Sequence, residues 1–332
     1  MNCDVAVVGA TGMVGRKILQ VMAKHDFPLD NLYLFASEKS DGTVLSYKGT
    51  EIVVHTLREN DIPHVDYAIF SAGSAVSDKF APIFRDKGAV VIDNSSRWRH
   101  DESVPLAIPE VNADALLGHH GIVANPNCST IQAITALAPI QKSFGLKRVI
   151  FTTFQSVSGA GRRGFVDLIN GSHGIKPKVF PRDIFANVIP QIGDFDENGN
   201  STEENKMIFE SKKILADRKI EIAATCVRVP VFFCHAESVN FTTRKDCSLE
   251  DVKNALKNAR GVVLSDGDGE YVTPVEVEDR DEVFVSRIRR DFSRKNAFAA
   301  WIVADNIRKG AATNAVQIAE TLIELKNSGG RH

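Results

Sequence analysis

The sequence predicts an α/β fold in two parts: a Rossmann-type parallel sheet domain, then an α+β domain carrying a mostly antiparallel sheet. Three observations predict it. The apolar strand Val5–Val8 runs at once into the turn Gly9-Ala10-Thr11-Gly12-Met13-Val14-Gly15 and a helix-periodic segment, Val14 to Ala23. Short apolar strands then alternate with helix-compatible segments up to about residue 128. From about Leu146 long β-rich runs take over.

The glycine turn comes first. Glycines let a backbone approach a pyrophosphate, and a helix N-terminus faces its charge. The spacing is GxxGxxG rather than GxGxxG, and a tight turn with no ligand would share it. Its place near the N-terminus, between a strand and a helix, favours the dinucleotide. The next strand, Leu32–Phe35, ends in Ser37-Glu38-Lys39-Ser40. Glu38 could bond ribose hydroxyls as in NAD sites, but Ser37, Lys39 and Ser40 together suit a 2′-phosphate better, so NADP is expected. Tyr67–Phe70, ending at Ser71, and Ala89–Ile92, ending at Asp93, extend the parallel sheet. Polar strand ends are where such sheets hold ligands, which places Ser71 near the cofactor.

The most informative segment is Asn125-Pro126-Asn127-Cys128-Ser129-Thr130, at the mouth of the helix-periodic run Ile131 to Pro139. Pro126 disfavours helix at Asn125, and Asn127 or Ser129 can cap the helix that begins there. The N–H groups of a helix start stabilise negative charge on sulfur, which suits a nucleophile. Most cysteines are inert core residues, and Cys3, Cys226, Cys234 and Cys247 read that way.

In the second half, Val149–Phe154, Ala223–Val229, Ser238–Thr243 and Glu282–Arg289 read as strands, with a helix from Leu249 to Ala259. Ala299 to Leu325 reads as helical. The expected division is therefore 1–128, completed by a C-terminal helix of about 305–328, and 129–304. Ile192 to Thr202 reads as an exposed loop, and Ser328 to His332 as a frayed end.

Composition bounds the function. The 332 residues are 43% hydrophobic and 25% charged, with a formal net charge of −2. That balance argues against nucleic acid as the main partner; Arg287, Arg289 and Arg290 read as a solvated or subunit-facing strand edge. Five cysteines without paired spacing imply neither a disulfide framework nor a metal site. No apolar run approaches a membrane span, and the start lacks a basic leader, so a cytoplasmic location is expected.

The residues resemble the NADP-dependent aspartate-semialdehyde dehydrogenase family over nearly the whole chain. The resemblance rests on six motifs in order: the glycine turn, Pro126–Ile131, Gln155–Gly161, Glu203–Met207, Arg228–His235 and Asp305–Ala312. It implies NADPH-dependent reduction of β-aspartyl phosphate to aspartate semialdehyde and phosphate, with Cys128 carrying the acyl group as a thioester. It further implies His235 as general acid/base and Gln155 as the residue that holds the intermediate. Arg228 would grip the substrate carboxylate, Glu203 its amino group, and Lys206 with Arg99 the phosphate. Arg97 stands where an aromatic is expected, which leaves open which arginine meets phosphate. Thr11, Gly12, Met13 and Val14 would hold the pyrophosphate, Lys39 and Ser40 the adenosine phosphate, Ser158 and Gly159 the nicotinamide side, and Asn306 the carboxamide. A homodimer or tetramer is implied. Two other readings are a related acyl-phosphate reductase, such as N-acetylglutamyl-phosphate reductase, and a non-catalytic paralogue. Glu203 with Arg228 argues against the first, since an acetylated amine needs no carboxylate partner; the presence of both Cys128 and His235 argues against the second.

Overall fold

The structure is a computed structural model and describes residues 2–267 and 269–329. The chain divides into two compact units. One comprises residues to Pro126 and from Ala311; the other is Asn127–Gly310.

Seven strands form the sheet of the first unit: β1 (Cys3–Val8), β2 (Leu29–Ala36), β3 (Val44–Tyr47), β4 (Thr50–Thr56), β5 (Tyr67–Phe70), β6 (Val90–Asp93) and β7 (Ile122–Ala124). Their order is β3-β4-β2-β1-β5-β6-β7, parallel except for the β3–β4 hairpin. The chain steps outward from β1 to β2, then reappears on the other side of β1 as β5. A ligand crevice is expected where the order reverses, at the carboxyl ends of β1, β2 and β5. Val5, Val7, Ile69 and Ile92 are fully buried, and the helix Met13–Lys24 packs its apolar face on the same core. The hairpin was not expected; its turn is Lys48-Gly49, both at positive φ (47° and 85°), which suits a two-residue connection.

The second unit carries β8 (Leu146–Gln155), β9 (Glu221–Arg228), β10 (His235–Thr243), β11 (Val262–Ser265), β12 (Val283–Arg290) and β13 (Ala297–Ala304). Their order is β11-β12-β13-β10-β8-β9, with three antiparallel pairings among the five. The helix Cys128–Phe144 is buried from Ser129 to Leu137. The helix Thr202–Ile214 starts with a reciprocal cap between Ser201 and Glu204.

The helical reading of Ala299 to Leu325 needs correction. Ala297–Ala304 is a strand, residues 308–313 form a π-helical turn, and the helix runs Asn314–Gly329. All but Trp301 in that strand are buried, so it lacks the alternation of a half-buried strand and its alanines read as helix formers. The expected second boundary at about 305 thereby moves to Ala311, and the first falls before Cys128, which belongs to the second unit. Ser328 continues the last helix, whereas residues 330–332 lie outside the described residues. Arg287, Arg289 and Arg290 are exposed on the part of β12 that runs past β11, where the register with β13 shifts between Ser286 and Arg289.

Candidate active site

In the first unit, a cavity of about 720 Å³ opens at the carboxyl ends of β1, β2 and β5. Gly9, Thr11, Gly12, Ser37, Lys39 and Ser71 line it, together with Glu38 and Arg58. Gly9 sits at φ 88°, and a Cβ there would lie 2.5 Å from the Ser71 carbonyl oxygen. A side chain at Gly15 would collide with the Gly9 carbonyl. The turn therefore requires glycine at both positions. Gly12 caps the helix Met13–Lys24 with no side-chain hydrogen bond and no acidic residue in the first turn. An uncapped helix start beneath a glycine cradle fits a pyrophosphate. Met13 and Val14 open that helix without lining the cavity.

At the far end, Thr11 Oγ1 lies 3.2 Å from Ser40 Oγ and joins the glycine turn to the loop after β2. Lys39 and Arg58 bring two exposed cations to the same cavity as Glu38. Arg58 escaped the sequence reading because it comes after β4, a strand that was not foreseen.

Arg97 and Arg99 differ sharply within this unit. Arg97 is exposed, paired with Asp78 and stacked 4.2 Å over the Trp98 ring. Arg99 is buried, its Nη2 donating to the Asn94 carbonyl at 2.7 Å.

In the second unit, Asn127 caps the helix Cys128–Phe144: its Oδ1 accepts from the N–H groups of Ser129 and Thr130 at 3.0 and 3.3 Å. Cys128 is thus the first helical residue, in the positive end of the dipole. Its Sγ lies 3.4 Å from Nε2 of His235, the first residue of β10. The other cysteines contrast with it. Burial pushes Cys3 up to about 12, and raises Cys226 and Cys234 as well. Cys247 is half-buried, 3.5 Å from Thr243 Oγ1.

Around this pair the structure gathers Gln155, Glu203 and Arg228. Gln155 ends β8; its Nε2 donates to Glu203 Oε1 at 2.9 Å and lies 3.5 Å from His235 Nε2. Asn127 Nδ2 donates to the same Glu203 oxygen at 2.8 Å, while Lys206 Nζ meets Oε2 at 3.0 Å. Burial alone would raise the Glu203 carboxyl. The Lys206 ammonium and the amides of Gln155 and Asn127 outweigh it, holding the group down to about 2. Glu203 is therefore a carboxylate throughout the neutral range. Arg228, at the end of β9 and buried, donates from Nη1 to the Ser156 carbonyl at 2.6 Å. Burial lowers its affinity for its proton, yet a guanidinium is so strong a base that it stays charged.

Ser158 and Gly159 lie in a short turn after β8. A Cβ at Gly159 would come within 2.8 Å of Arg228 Nη1, so the glycine keeps that space open. Asn306 is buried; its Oδ1 accepts from Ser156 Oγ, Ser158 Oγ and Cys234 N–H at 3.0–3.1 Å. Ser156 was not singled out from the sequence, although it stands beside Gln155; nothing local marks it. Glu237 was missed too: two residues after His235, fully buried, with neither carboxyl oxygen hydrogen-bonded. Among the described residues no group of three or more His, Cys, Asp or Glu could hold a metal ion, and no helix is long and apolar enough to cross a membrane.

A glycine-turn nucleotide cavity in one unit and a helix-capped Cys–His pair in the other define a nicotinamide-dependent oxidoreductase that acts on an aldehyde through a thiol. Residues 4–119 match the semialdehyde dehydrogenase NAD binding domain, and 137–309 the semialdehyde dehydrogenase dimerisation domain. The aspartate-semialdehyde dehydrogenase of Aquifex aeolicus is 49% identical over 98% of this chain and 99% of its own. That of Bacillus subtilis is 45% identical, covering 97% of each. A crystal structure of aspartate semialdehyde dehydrogenase II from Vibrio cholerae complexed with ASA superposes with a TM-score of 0.95. It is 43% identical and covers 98% of this chain and 99% of that one. The chain belongs to the semialdehyde dehydrogenases and, within them, to the aspartate-semialdehyde dehydrogenase family.

Proposed function

We propose that the chain reduces L-aspartyl 4-phosphate to L-aspartate 4-semialdehyde and phosphate with NADPH, through a thioester on Cys128, in the synthesis of lysine, threonine and methionine. The observation that carries this reading is the 3.4 Å approach of Cys128 Sγ to His235 Nε2 at a capped helix start. The thiolate attacks the acyl phosphate: a C–S bond forms and the C–O bond to phosphate breaks. Bound nicotinamide would supply hydride to the acyl carbon.

Each remaining residue has a task its surroundings support. His235 borders the sulfur and Gln155 borders His235, and both would offer polar hydrogens to an oxygen on the acyl carbon. Arg228, a buried fork, takes the substrate α-carboxylate. Glu203, ionised and buried, takes the α-amino group, which an N-acetylated substrate could not offer. Lys206 and Arg99 are assigned to the phosphate; burial of Arg99, against the Asp78 and Trp98 contacts of Arg97, favours it over its neighbour. Gly9, Thr11, Gly12, Met13 and Val14 would hold the pyrophosphate, and Ser71 the cofactor beside it. Lys39, Ser40 and Arg58 would hold a 2′-phosphate, which favours NADP over NAD. Ser158, Gly159 and Asn306 border the nicotinamide.

The matched dimerisation domain supports a homodimer, and five cysteines outside any disulfide suit a reducing cytoplasm. The test is phosphate-dependent reduction of NADP by L-aspartate semialdehyde. NAD and N-acetylglutamate semialdehyde, each much poorer, are the comparisons. Equal rates with the acetylated aldehyde would sink the substrate assignment.

A further inference from the structure

The helix Cys128–Phe144 supplies only half of a reciprocal cap from its own residues. Asn127 caps it, accepting from the N–H groups of Ser129 and Thr130. In a full capping box the third helical residue is Glu or Gln and reaches back to the N–H of the cap, as Glu204 does for Ser201. Here the third residue is Thr130, whose hydroxyl donates instead to Met207 Sδ at 3.6 Å. The missing half comes from another helix: Glu210 Oε2 accepts from the Asn127 main-chain N–H at 2.7 Å.

Glu210 stands on the helix Thr202–Ile214 and is fully buried. Glu203, Met207 and Glu210 are spaced i, i+4, i+7 and so share one face of that helix. Each takes one group at the start of the cysteine helix: Glu203 Oε1 the Asn127 side-chain amide, Met207 the Thr130 hydroxyl, Glu210 the Asn127 N–H. The Asn127 carbonyl accepts from the Ile131 N–H at 2.9 Å, so every polar group of the cap is held. Beside Cys128, a Cβ at Gly310 would come within 2.8 Å of the Cys128 Cβ, which leaves the helix start no slack on that side. A buried N–H deprived of its acceptor costs the desolvation of that group, and movement of the cap relieves it.

We propose that Glu210 is a positioning residue: it completes the cap of the cysteine helix from the helix that carries Glu203 and Lys206, and so sets the Cys128 thiol in register with those two side chains. This rests on the active-site reading given above. Glu210 acts through the Asn127 peptide, and what it contributes is a hydrogen-bond acceptor of the right reach.

The test compares two uncharged replacements of similar length in the full-length enzyme. Glu210→Gln can still accept the Asn127 N–H, whereas Glu210→Met cannot. Both remove the carboxyl and leave His235 and Arg228 in place, so the difference between them isolates the hydrogen bond. Glu210→Gln should keep kcat within about threefold of wild type, and Glu210→Met should fall at least about tenfold below it. Alkylation of Cys128 by iodoacetamide, followed on its own peptide by mass spectrometry, supplies the second readout. Its pH midpoint should lie about 0.2 to 0.7 of a unit higher in Glu210→Met than in Glu210→Gln, because a loosened helix start holds the thiolate less well. Glu210→Asp keeps the acid but draws it back by one methylene; it should behave as Glu210→Met does, and replaces it if that variant does not fold. Equal kcat in Glu210→Gln and Glu210→Met overturns the proposal. So does a loss in Glu210→Met with an unmoved midpoint, the mark of a merely structural role. Wild-type enzyme that still turns over with Cys128 fully alkylated would instead overturn the active-site reading, an outcome separate from the other two.

Discussion

Lys206 Nζ lies 3.0 Å from Glu203 Oε2, one helical turn away, and the carboxylate it meets is buried while the ammonium is a quarter exposed. Such a pair at i, i+3 on a surface helix would contribute little. Here it holds a charged carboxylate inside the protein, where the amides of Gln155 and Asn127 complete its hydrogen bonds.

The sign of the shift sets the pH dependence. Glu203 is held down from 4.5 to about 2, so its contribution is complete above the unfolded-state value and is lost as pH falls from about 4.5 toward 2. The shift corresponds to up to about 3 kcal/mol. Denaturant melts of Glu203→Gln and wild type should differ most at neutral pH and converge below pH 3. A gap that stays constant with pH would show that the carboxylate is not the source.

Glu237 runs the other way. Burial raises its carboxyl well above the usual range, which favours the protonated acid in the folded state. With a raised folded value, its stability is full below the unfolded-state value and is lost as pH rises. Glu237→Gln, which mimics the neutral acid, should match wild type near pH 4 and melt higher than wild type at pH 8. A lower melting temperature at pH 8 would mean that the ionised form is needed.

Replacing Cys128 with alanine should remove turnover by a thousandfold or more while leaving the fold and NADP binding intact. Circular dichroism and cofactor fluorescence check the second half of that statement. Substantial residual turnover would remove Cys128 as the nucleophile.

For the substrate carboxylate, Arg228→Leu should raise KM by roughly ten- to a hundredfold, the worth of a hydrogen bond to a charged group. Because Arg228 also donates to the Ser156 carbonyl, some loss of kcat should accompany it. An unchanged KM would refute the carboxylate role. In the reverse reaction, Arg99→Gln should weaken phosphate dependence by a similar factor and Arg97→Gln should not. The opposite pattern would exchange the two arginines.

At the nucleotide cavity, the double variant Lys39→Ala with Arg58→Ala should weaken NADP binding by about tenfold or more and leave NAD almost unaffected. Isothermal titration with both nucleotides measures this directly. Equal weakening of the two would place the cations on some other part of the cofactor.

The amino-acid sequence by itself determined what local physics controls. Gly9 must be glycine because of its positive φ and the Ser71 carbonyl, and a strand–turn–helix around it was legible as a nucleotide site. Asn127 before Cys128 announced a capped helix start with a thiol in its dipole. Ala297–Ala304 defeated that reading because a strand buried on both faces carries no period. Tertiary structure alone decided which distant groups meet. His235 reaches Cys128 across 107 residues and Asn306 reaches Ser158 across 148, through sheet pairings that no local pattern encodes. The contact of Ser156 with His235 belongs to this second class: the packing of β8 beside β10 sets the peptide N–H of the residue after β8 3.1 Å from the histidine ring.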